Sequence, residues 1–227
     1  MNTETHKIRV NEKAVVSTIW HIPDHYEYIL LIAPGAGKNM HSEFITTLHD
    51  GIAEHDIMTV KFNFPYLEQG RTAPNTPTVL EDTWLAVIDA VMAQTGAPRE
   101  KLFLSGKSMG GRYATLLAAK IDGFAGLILY GYPLHAPGKT EKPRGQELNA
   151  IHSPMLFFQG TRDSLCNLGV FKPILENLNP APELVVIEGA DHSFKLLKRL
   201  KRSQASVYQE LIDKSARWIK KIGGSAA

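Results

Sequence analysis

Gly106-Lys107-Ser108-Met109-Gly110 follows a short apolar run and precedes a helical pattern, so it decides how the middle of the chain folds. The apolar run predicts a strand over residues 101–105, and the helical pattern predicts a helix over residues 109–121. A strand that turns this sharply into a helix strains the backbone of the serine, and bulky side chains in place of the two outer glycines would clash. The turn would hold the Ser108 hydroxyl above the sheet at a helix N-terminus, where the helix dipole favours negative charge. Ser108 is therefore a candidate nucleophile, although a glycine-rich connection without chemistry would show the same five residues.

Short apolar runs alternate with longer amphipathic ones along the rest of the chain. This alternation predicts one α/β domain over residues 1–227, with a mainly parallel central sheet and helices on both faces. We expect two short strands within 7–20 and another at 57–62. We expect buried strands at 28–33, 125–130, 155–159 and 184–187. We expect further helices near 42–55, 78–93, 167–178 and 203–222.

Several local features accompany these elements. Ser42 is a plausible cap for the first helix, and Ser206 with Gln209 forms a possible capping box for the last one. The segment 65–77 is rich in Gly, Pro, Asn and Thr and predicts a long loop. Gly223-Gly224-Ser225 is expected to end the last helix and to lead into a frayed tail.

Two residues could complete a catalytic site with Ser108. A serine hydroxyl is a poor nucleophile near neutral pH, so it needs a base, and the base needs an orienting acid. Asp163 follows the strand predicted at 155–159, and His192 follows the one at 184–187, so these are the candidate acid and base. Asp163 could instead cap the next helix, Asp191 could compete as the acid or stabilise a turn, and His192 could be an ordinary loop histidine.

Acyl-transfer chemistry at Ser108 would also need donors for an oxyanion. The backbone N–H of Met109 is one candidate, and the N–H of Ala36 in the loop 34–40 is the other. That loop could also be a simple strand-to-helix turn. It lacks the glycine spacing of nucleotide-binding loops, and no His, Cys or carboxylate cluster has convincing metal spacing, so neither a cofactor nor a metal is expected.

Composition restricts the partners. The formal net charge of +2 over 227 residues is too small to indicate a nucleic-acid or anionic-membrane partner. The basic side chains between Lys195 and Arg202 form either an anion-binding patch or, as we expect, a solvated turn. A single cysteine, Cys166, excludes an intrachain disulfide and fits a reducing compartment, and we expect it to be buried. With a polar start and no long apolar run, the sequence predicts a soluble cytoplasmic protein, either a monomer or a homodimer.

Five segments carry a family resemblance: Ala33-Pro-Gly-Ala-Gly37, Gly106-Lys-Ser-Met-Gly-Gly-Arg112, Tyr130-Gly-Tyr-Pro-Leu-His135, Gln159-Gly-Thr-Arg-Asp163 and Ala190-Asp-His-Ser-Phe194. With them the chain resembles compact α/β-hydrolases of the dienelactone-hydrolase-like group. Within that group it is most similar to the branch of testis-expressed protein 30 and the KAT8 NSL complex subunit 3 hydrolase-like domain. Many relatives have a His-Gly pair where this chain has Pro34-Gly35, and dienelactone hydrolases proper use cysteine where this chain has Ser108.

The resemblance implies an α/β-hydrolase fold with a minimal lid or none. The implied activity is that of a serine hydrolase acting on a small-molecule acyl substrate, an ester or a thioester. Two alternatives stay open: a non-catalytic hydrolase-like scaffold that binds a partner, and a peptidase or amidase on the same fold. Candidate substrate contacts are Tyr132, Leu134 and His135 in the short segment after the strand at 125–130, and Arg71 in the loop 65–77. His135 could instead be a surface histidine.

Overall fold

A single eight-stranded sheet forms the centre of the computed structural model, which describes residues 1–224. Its strands are β1 (Asn2–Asn11), β2 (Ala14–Ile22), β3 (Ile29–Ala33), β4 (Met58–Phe62), β5 (Leu102–Lys107), β6 (Gly126–Tyr130), β7 (Met155–Gly160) and β8 (Glu183–Ile187). They lie in the order β1-β2-β4-β3-β5-β6-β7-β8. The β1–β2 and β2–β4 pairs are antiparallel, and every other neighbouring pair is parallel. The predicted mainly parallel sheet is therefore confirmed.

Helices cover both faces of this sheet, as predicted. They are α1 (Glu43–Ala53), α2 (Pro65–Glu68), α3 (Pro77–Thr95), α4 (Met109–Ala118), α5 (Leu168–Glu176) and α6 (Gln204–Gly224). Successive side chains of a strand point to opposite faces, so Leu30 packs with α1 and α6, whereas Leu31 packs with α3 and α4. Burial on both faces explains why the central strands appear in the sequence as continuous apolar runs. Within residues 1–224, no helix combines the length and the apolar character that crossing a bilayer requires.

Three details of the predicted strands and loops were wrong. The strand before Ser108 continues to Lys107, because it keeps pairing with β6 as far as Tyr130. The segment 65–77 is not all loop, since α2 begins at Pro65, a residue preorganised for the first turn of a helix. The strand β8 is only partly buried, because it lies at the edge of the sheet and leaves Val186 exposed.

The predicted ends of the helices also need correction. The hydroxyl of Ser203 accepts the Ser206 N–H at 3.1 Å, so Ser203 caps the start of α6. The predicted capping box of Ser206 with Gln209 is therefore wrong. Ser42 does stand at the N-cap position of α1, but its side chain makes no capping hydrogen bond. Both Gly223 and Gly224 belong to α6, and the predicted frayed tail from residue 225 lies outside the described residues.

Candidate active site

Ser108 occupies a strained turn between β5 and α4. Its φ of 51° and ψ of −113° are values that residues with a side chain rarely adopt. A Cβ on Gly106 would lie 2.5 Å from the carbonyl carbon of Gly110, and a Cβ on Gly110 would lie 2.6 Å from the Ala33 oxygen. Only glycine fits these two places, since backbone atoms would have to move to admit a methyl group. The predicted tight turn around Ser108 is confirmed.

Ser108, His192 and Asp163 form one chain of hydrogen bonds. The Ser108 Oγ lies 2.8 Å from His192 Nε2, and His192 Nδ1 lies 2.8 Å from Asp163 Oδ2. A carboxylate only accepts, so Nδ1 carries the ring proton and donates to Asp163, and Nε2 is left to accept the serine proton. The Asp163 side chain is fully buried, while 22% of the His192 side chain is exposed. His192 therefore reaches solvent and Asp163 does not.

Two further donors hold Asp163 in place. The Gln159 side-chain amide donates to Oδ2 at 2.5 Å, and the Leu165 N–H donates to Oδ1 at 2.8 Å. The alternative role of Asp163 as a helix cap is wrong, because the Asn167 side chain caps α5 by accepting the Gly169 N–H at 2.8 Å.

Asp191 stabilises a turn instead of competing as the acid. Its Oδ1 accepts the N–H groups of Ser193 at 2.8 Å and of Lys195 at 2.9 Å. These bonds close the loop that carries His192 and leave the contact with the imidazole to Asp163. The interpretation of Asp191 as a turn residue is confirmed.

The candidate oxyanion donors lie next to the serine. Ala36 and Ser108 line the same cleft, and Met109 begins α4, where the first N–H groups of a helix have no acceptor within the helix. In the loop 34–40, Gly37 and Met40 donate to the Tyr66 hydroxyl and to the Asn63 side chain. The Ala36 N–H makes no hydrogen bond to any of the described residues, so it is available to a ligand.

An open cleft of about 810 Å³ surrounds Ser108 and His192. One wall comes from the start of α1, including Phe44, and another from Tyr208 of α6. Between β6 and β7 the chain forms one short 3-10 helix, Gln146–Ala150, so the part of the chain that the structure describes has no large cap in this segment. The only described cluster of possible metal ligands within residues 1–224 lies away from this cleft.

A family model described as an alpha/beta hydrolase domain matches residues 26–220. The chain belongs to this alpha/beta hydrolase family. It is also similar to three solved structures. A serine hydrolase homologue from Coxiella burnetii is 22% identical with a TM-score of 0.75, covering 96% of this chain and 97% of that one. A serine hydrolase without a lid from Xanthomonas campestris is 20% identical with a TM-score of 0.74, covering 96% and 95%. A dienelactone hydrolase from Anabaena variabilis is 17% identical with a TM-score of 0.76, covering 97% of both chains.

The alpha/beta hydrolase cleft does not include the predicted substrate contacts. The Tyr132 side chain is buried and donates its hydroxyl to Glu147 at 2.6 Å. Leu134 is fully buried as well. Arg71 is exposed, follows α2 and does not line the cleft. Tyr132 and Leu134 do follow β6, but their side chains are buried away from the cleft.

His135 was also predicted as a substrate contact, and the structure places it in the scaffold. The ring is buried, Nδ1 donates to the Ala136 carbonyl at 2.9 Å, and Nε2 accepts the Asn167 N–H at 2.9 Å. The His135 backbone N–H donates to the Leu165 carbonyl at 3.0 Å. His135 thus ties the segment after β6 to the loop that carries Asp163.

Lys107 is a feature of the site that sequence reasoning missed. It contributes to the cleft wall, yet its Nζ is inaccessible to solvent and has no hydrogen-bond partner among the described residues. The ammonium lies 5.6 Å from the centre of the Phe194 ring. Burial lowers the pKa of Lys107 to about 8, against the opposing attraction of Asp163 and Asp191. The signal was present in the sequence, because a lysine directly before Ser108 must lie at the end of a buried strand.

The structure also tests two predictions about residues outside the candidate catalytic group. Cys166 is buried, as predicted, and burial raises the pKa of its thiol. The basic side chains after Lys195 are mostly exposed on the turn before α6, as expected of a solvated segment.

Proposed function

We propose that this protein is a serine hydrolase that cleaves a small ester or thioester by acyl transfer. The observation that carries the proposal is the continuous chain of hydrogen bonds from Ser108 through His192 to buried Asp163. The strained turn and the free Ala36 N–H beside it support the same chemistry. A binding scaffold would not require a nucleophile, base and acid in mutual contact.

The proposed reaction has two steps. The Ser108 Oγ attacks the substrate carbonyl carbon while His192 Nε2 takes its proton, and the N–H groups of Ala36 and Met109 hold the oxyanion. The imidazolium then protonates the leaving alcohol or thiol, and an acyl-enzyme remains. In the second step, water gives a proton to His192 and attacks the acyl carbon, which releases the carboxylic acid and returns the proton to Ser108. Asp163 orients the ring and stabilises its charged form throughout.

The open cleft can admit the small acyl substrates that we propose. It is open to solvent, and it carries an aromatic wall at Phe44 and Tyr208 next to the basic residues Lys38 and Lys195. Similarity to the testis-expressed protein 30 branch, which rests on the five quoted segments, leaves the scaffold role as the competing proposal. We further propose that the chain acts as one domain without a cofactor in the cytoplasm, as a monomer or homodimer.

Labelling with a fluorophosphonate tests the nucleophile. We expect the wild-type protein to be labelled at Ser108, as located by peptide mass spectrometry, and the Ser108→Ala variant to remain unlabelled. Ser193→Ala is a matched control, since Ser193 is an exposed serine lining the same cleft. Labelling of Ser108→Ala as strong as that of the wild type would overturn the assignment.

A substrate panel separates the ester, amide and scaffold alternatives. We expect turnover of short-chain aryl esters and acyl thioesters, with a loss of about 10³-fold or more in kcat for His192→Ala. Faster turnover of peptide amides than of matched esters would favour a peptidase or amidase. Absence of turnover on every substrate, together with absence of labelling, would favour the scaffold.

A further inference from the structure

A second cluster of reactive side chains lies between β2 and α1, away from Ser108. It consists of His21 on β2 with His49 and Asp50 on α1. The Asp50 Oδ1 lies 2.9 Å from His49 Nδ1 and 3.6 Å from His21 Nδ1. Each residue offers one ligand atom that lies within 4.8 Å of the other two. The two imidazole rings are in contact, with centroids 4.1 Å apart. Three donor atoms of metal-binding type thus converge on one point.

The hydrogen bonds of His49 leave a lone pair at this point. Its Nε2 lies 3.1 Å from the Ile19 carbonyl, which only accepts, so Nε2 must carry the proton. In a neutral ring Nδ1 is then unprotonated, and it faces a carboxylate oxygen of Asp50. Two acceptors at 2.9 Å repel unless a cation lies between them. The Nδ1 of His21 is also buried and has no hydrogen-bond partner among the described residues.

A proton on His49 Nδ1 would join only that nitrogen to Asp50 and would leave the Nδ1 of His21 without a partner. A metal ion can contact a donor atom of all three residues at once, so the convergence of the three side chains favours a metal ion.

We propose that His21, His49 and Asp50 bind a divalent transition-metal ion of the Zn²⁺ type. Two imidazoles and one carboxylate suit Zn²⁺ and its neighbours in the first transition row, whereas Mg²⁺ and Ca²⁺ prefer oxygen ligands alone. Zinc–nitrogen bonds of about 2.0 Å place neighbouring tetrahedral ligand atoms about 3.3 Å apart, close to the 2.9 and 3.6 Å observed here.

The surroundings of the three ligands fit a bound ion as well. The bond from His49 Nε2 to the Ile19 carbonyl is the type of contact that orients a metal-binding histidine. Asp50 is about half exposed, so water can reach the site and supply a fourth ligand. The ion would join α1 to β2, and since α1 also forms a wall of the cleft, it would stabilise that wall without entering the reaction.

Zinc binding by the full-length chain, produced without a polyhistidine tag, tests the site. After treatment with a chelator and dialysis, we expect calorimetry to find one Zn²⁺ bound per chain, and Co²⁺ to produce the visible absorption of a tetrahedral site. Asp50→Asn should weaken binding by at least about 10-fold, and His21→Asn should weaken it further. Zinc should raise the unfolding temperature of the wild type and not that of the two variants.

His152→Gln is the matched control, because it removes an exposed histidine outside the cluster. It should bind Zn²⁺ like the wild type. Failure of the wild type to bind Zn²⁺ at micromolar concentration would overturn the proposal, as would equal binding by wild type, Asp50→Asn and His21→Asn. Asp50 is half-exposed on a helix surface, so we expect Asp50→Asn to fold. Zinc binding by Asp50→Asn therefore tests the site even if His21→Asn unfolds.

Discussion

Gln159 donates its side-chain amide to Oδ2 of Asp163, the same oxygen that accepts the imidazole N–H of His192. The amide oxygen of Gln159 in turn accepts the backbone N–H of Tyr132 at 3.0 Å. Gln159 is fully buried, so both ends of its amide are satisfied by protein groups alone. This side chain therefore connects Tyr132, which follows β6, to Asp163, and we expect it to hold Asp163 in position.

Replacing Gln159 with Leu should lower the activity of the folded protein, in addition to any loss of stability. The variant leaves Asp163 with one fewer donor and leaves the Tyr132 N–H unpaired. We expect kcat/KM on an aryl ester to fall by about 10- to 100-fold, the equivalent of a charged hydrogen bond, with a larger effect on kcat than on KM. The control Gln94→Leu alters an exposed amide on α3 and should leave the rate unchanged. Wild-type kcat in folded Gln159→Leu would contradict the positioning role.

Gly110→Ala should be severely destabilising. The added methyl group would lie 2.6 Å from both the Ala33 and the Pro34 carbonyl oxygens, and backbone cannot yield as a flexible side chain can. We expect the free energy of unfolding in urea to fall by about 2–3 kcal/mol or more. The control is Gly224→Ala, because a Cβ there meets nothing within 4 Å. A Gly110→Ala variant as stable as Gly224→Ala would show that the turn is looser than described.

Lys107→Met should stabilise the protein at neutral pH. The pKa of Lys107 is lowered from 10.5 to about 8 in the folded state, so between these values the unfolded chain binds more protons. Wild-type stability should therefore rise as the pH increases through that window, and below it the cost of burying the ammonium is fully present. Met removes this cost and keeps contact with Phe194, which predicts a gain of about 1–3 kcal/mol near pH 7.

Urea unfolding of both proteins across pH checks this prediction. The difference in the free energy of unfolding between Lys107→Met and wild type should shrink between about pH 8 and about pH 10. Lys120→Met is a control, since the Lys120 ammonium is exposed and pairs with Glu81 on the surface. A difference that stays constant with pH would show that the Lys107 ammonium is not buried in solution.

Ser108→Gly should be more stable than Ser108→Ala. The φ of 51° at this position strains any residue with a Cβ, whereas glycine adopts it without cost. The relief of strain exceeds the entropy that glycine adds to the unfolded chain, so we expect a difference of about 1 kcal/mol in chemical denaturation. Neither variant should react with a fluorophosphonate. Equal stability of the two would mean that the turn stores little strain.

Local patterns were enough to predict most elements of the fold. Parallel strands are buried on both faces, so runs such as 28–33 and 125–130 are apolar without interruption. The glycines around Ser108 mark a turn that admits no side chain at the glycine positions. The prediction failed for β8, because an edge strand and a central strand can have the same short apolar run. The position of a strand in the sheet depends on long-range pairing, which a local run does not contain.

The candidate site was also predicted only in part from the sequence. Chain position next to strand ends was enough to select Ser108, Asp163 and His192. It also selected Tyr132 and His135, which follow a strand end equally well but point into the scaffold. The direction of a side chain after a strand end depends on which loops pack around it.

The sequence by itself determined the α/β architecture, the turn at Ser108 and the order of the three candidate catalytic residues, because each follows from local backbone preference and burial. Only the tertiary structure decided that Gln159 supports the acid, that Lys107 carries a buried ammonium and that His21 meets His49 and Asp50. These contacts depend on how helices, strands and loops pack against one another, and a local stretch of sequence does not contain that information.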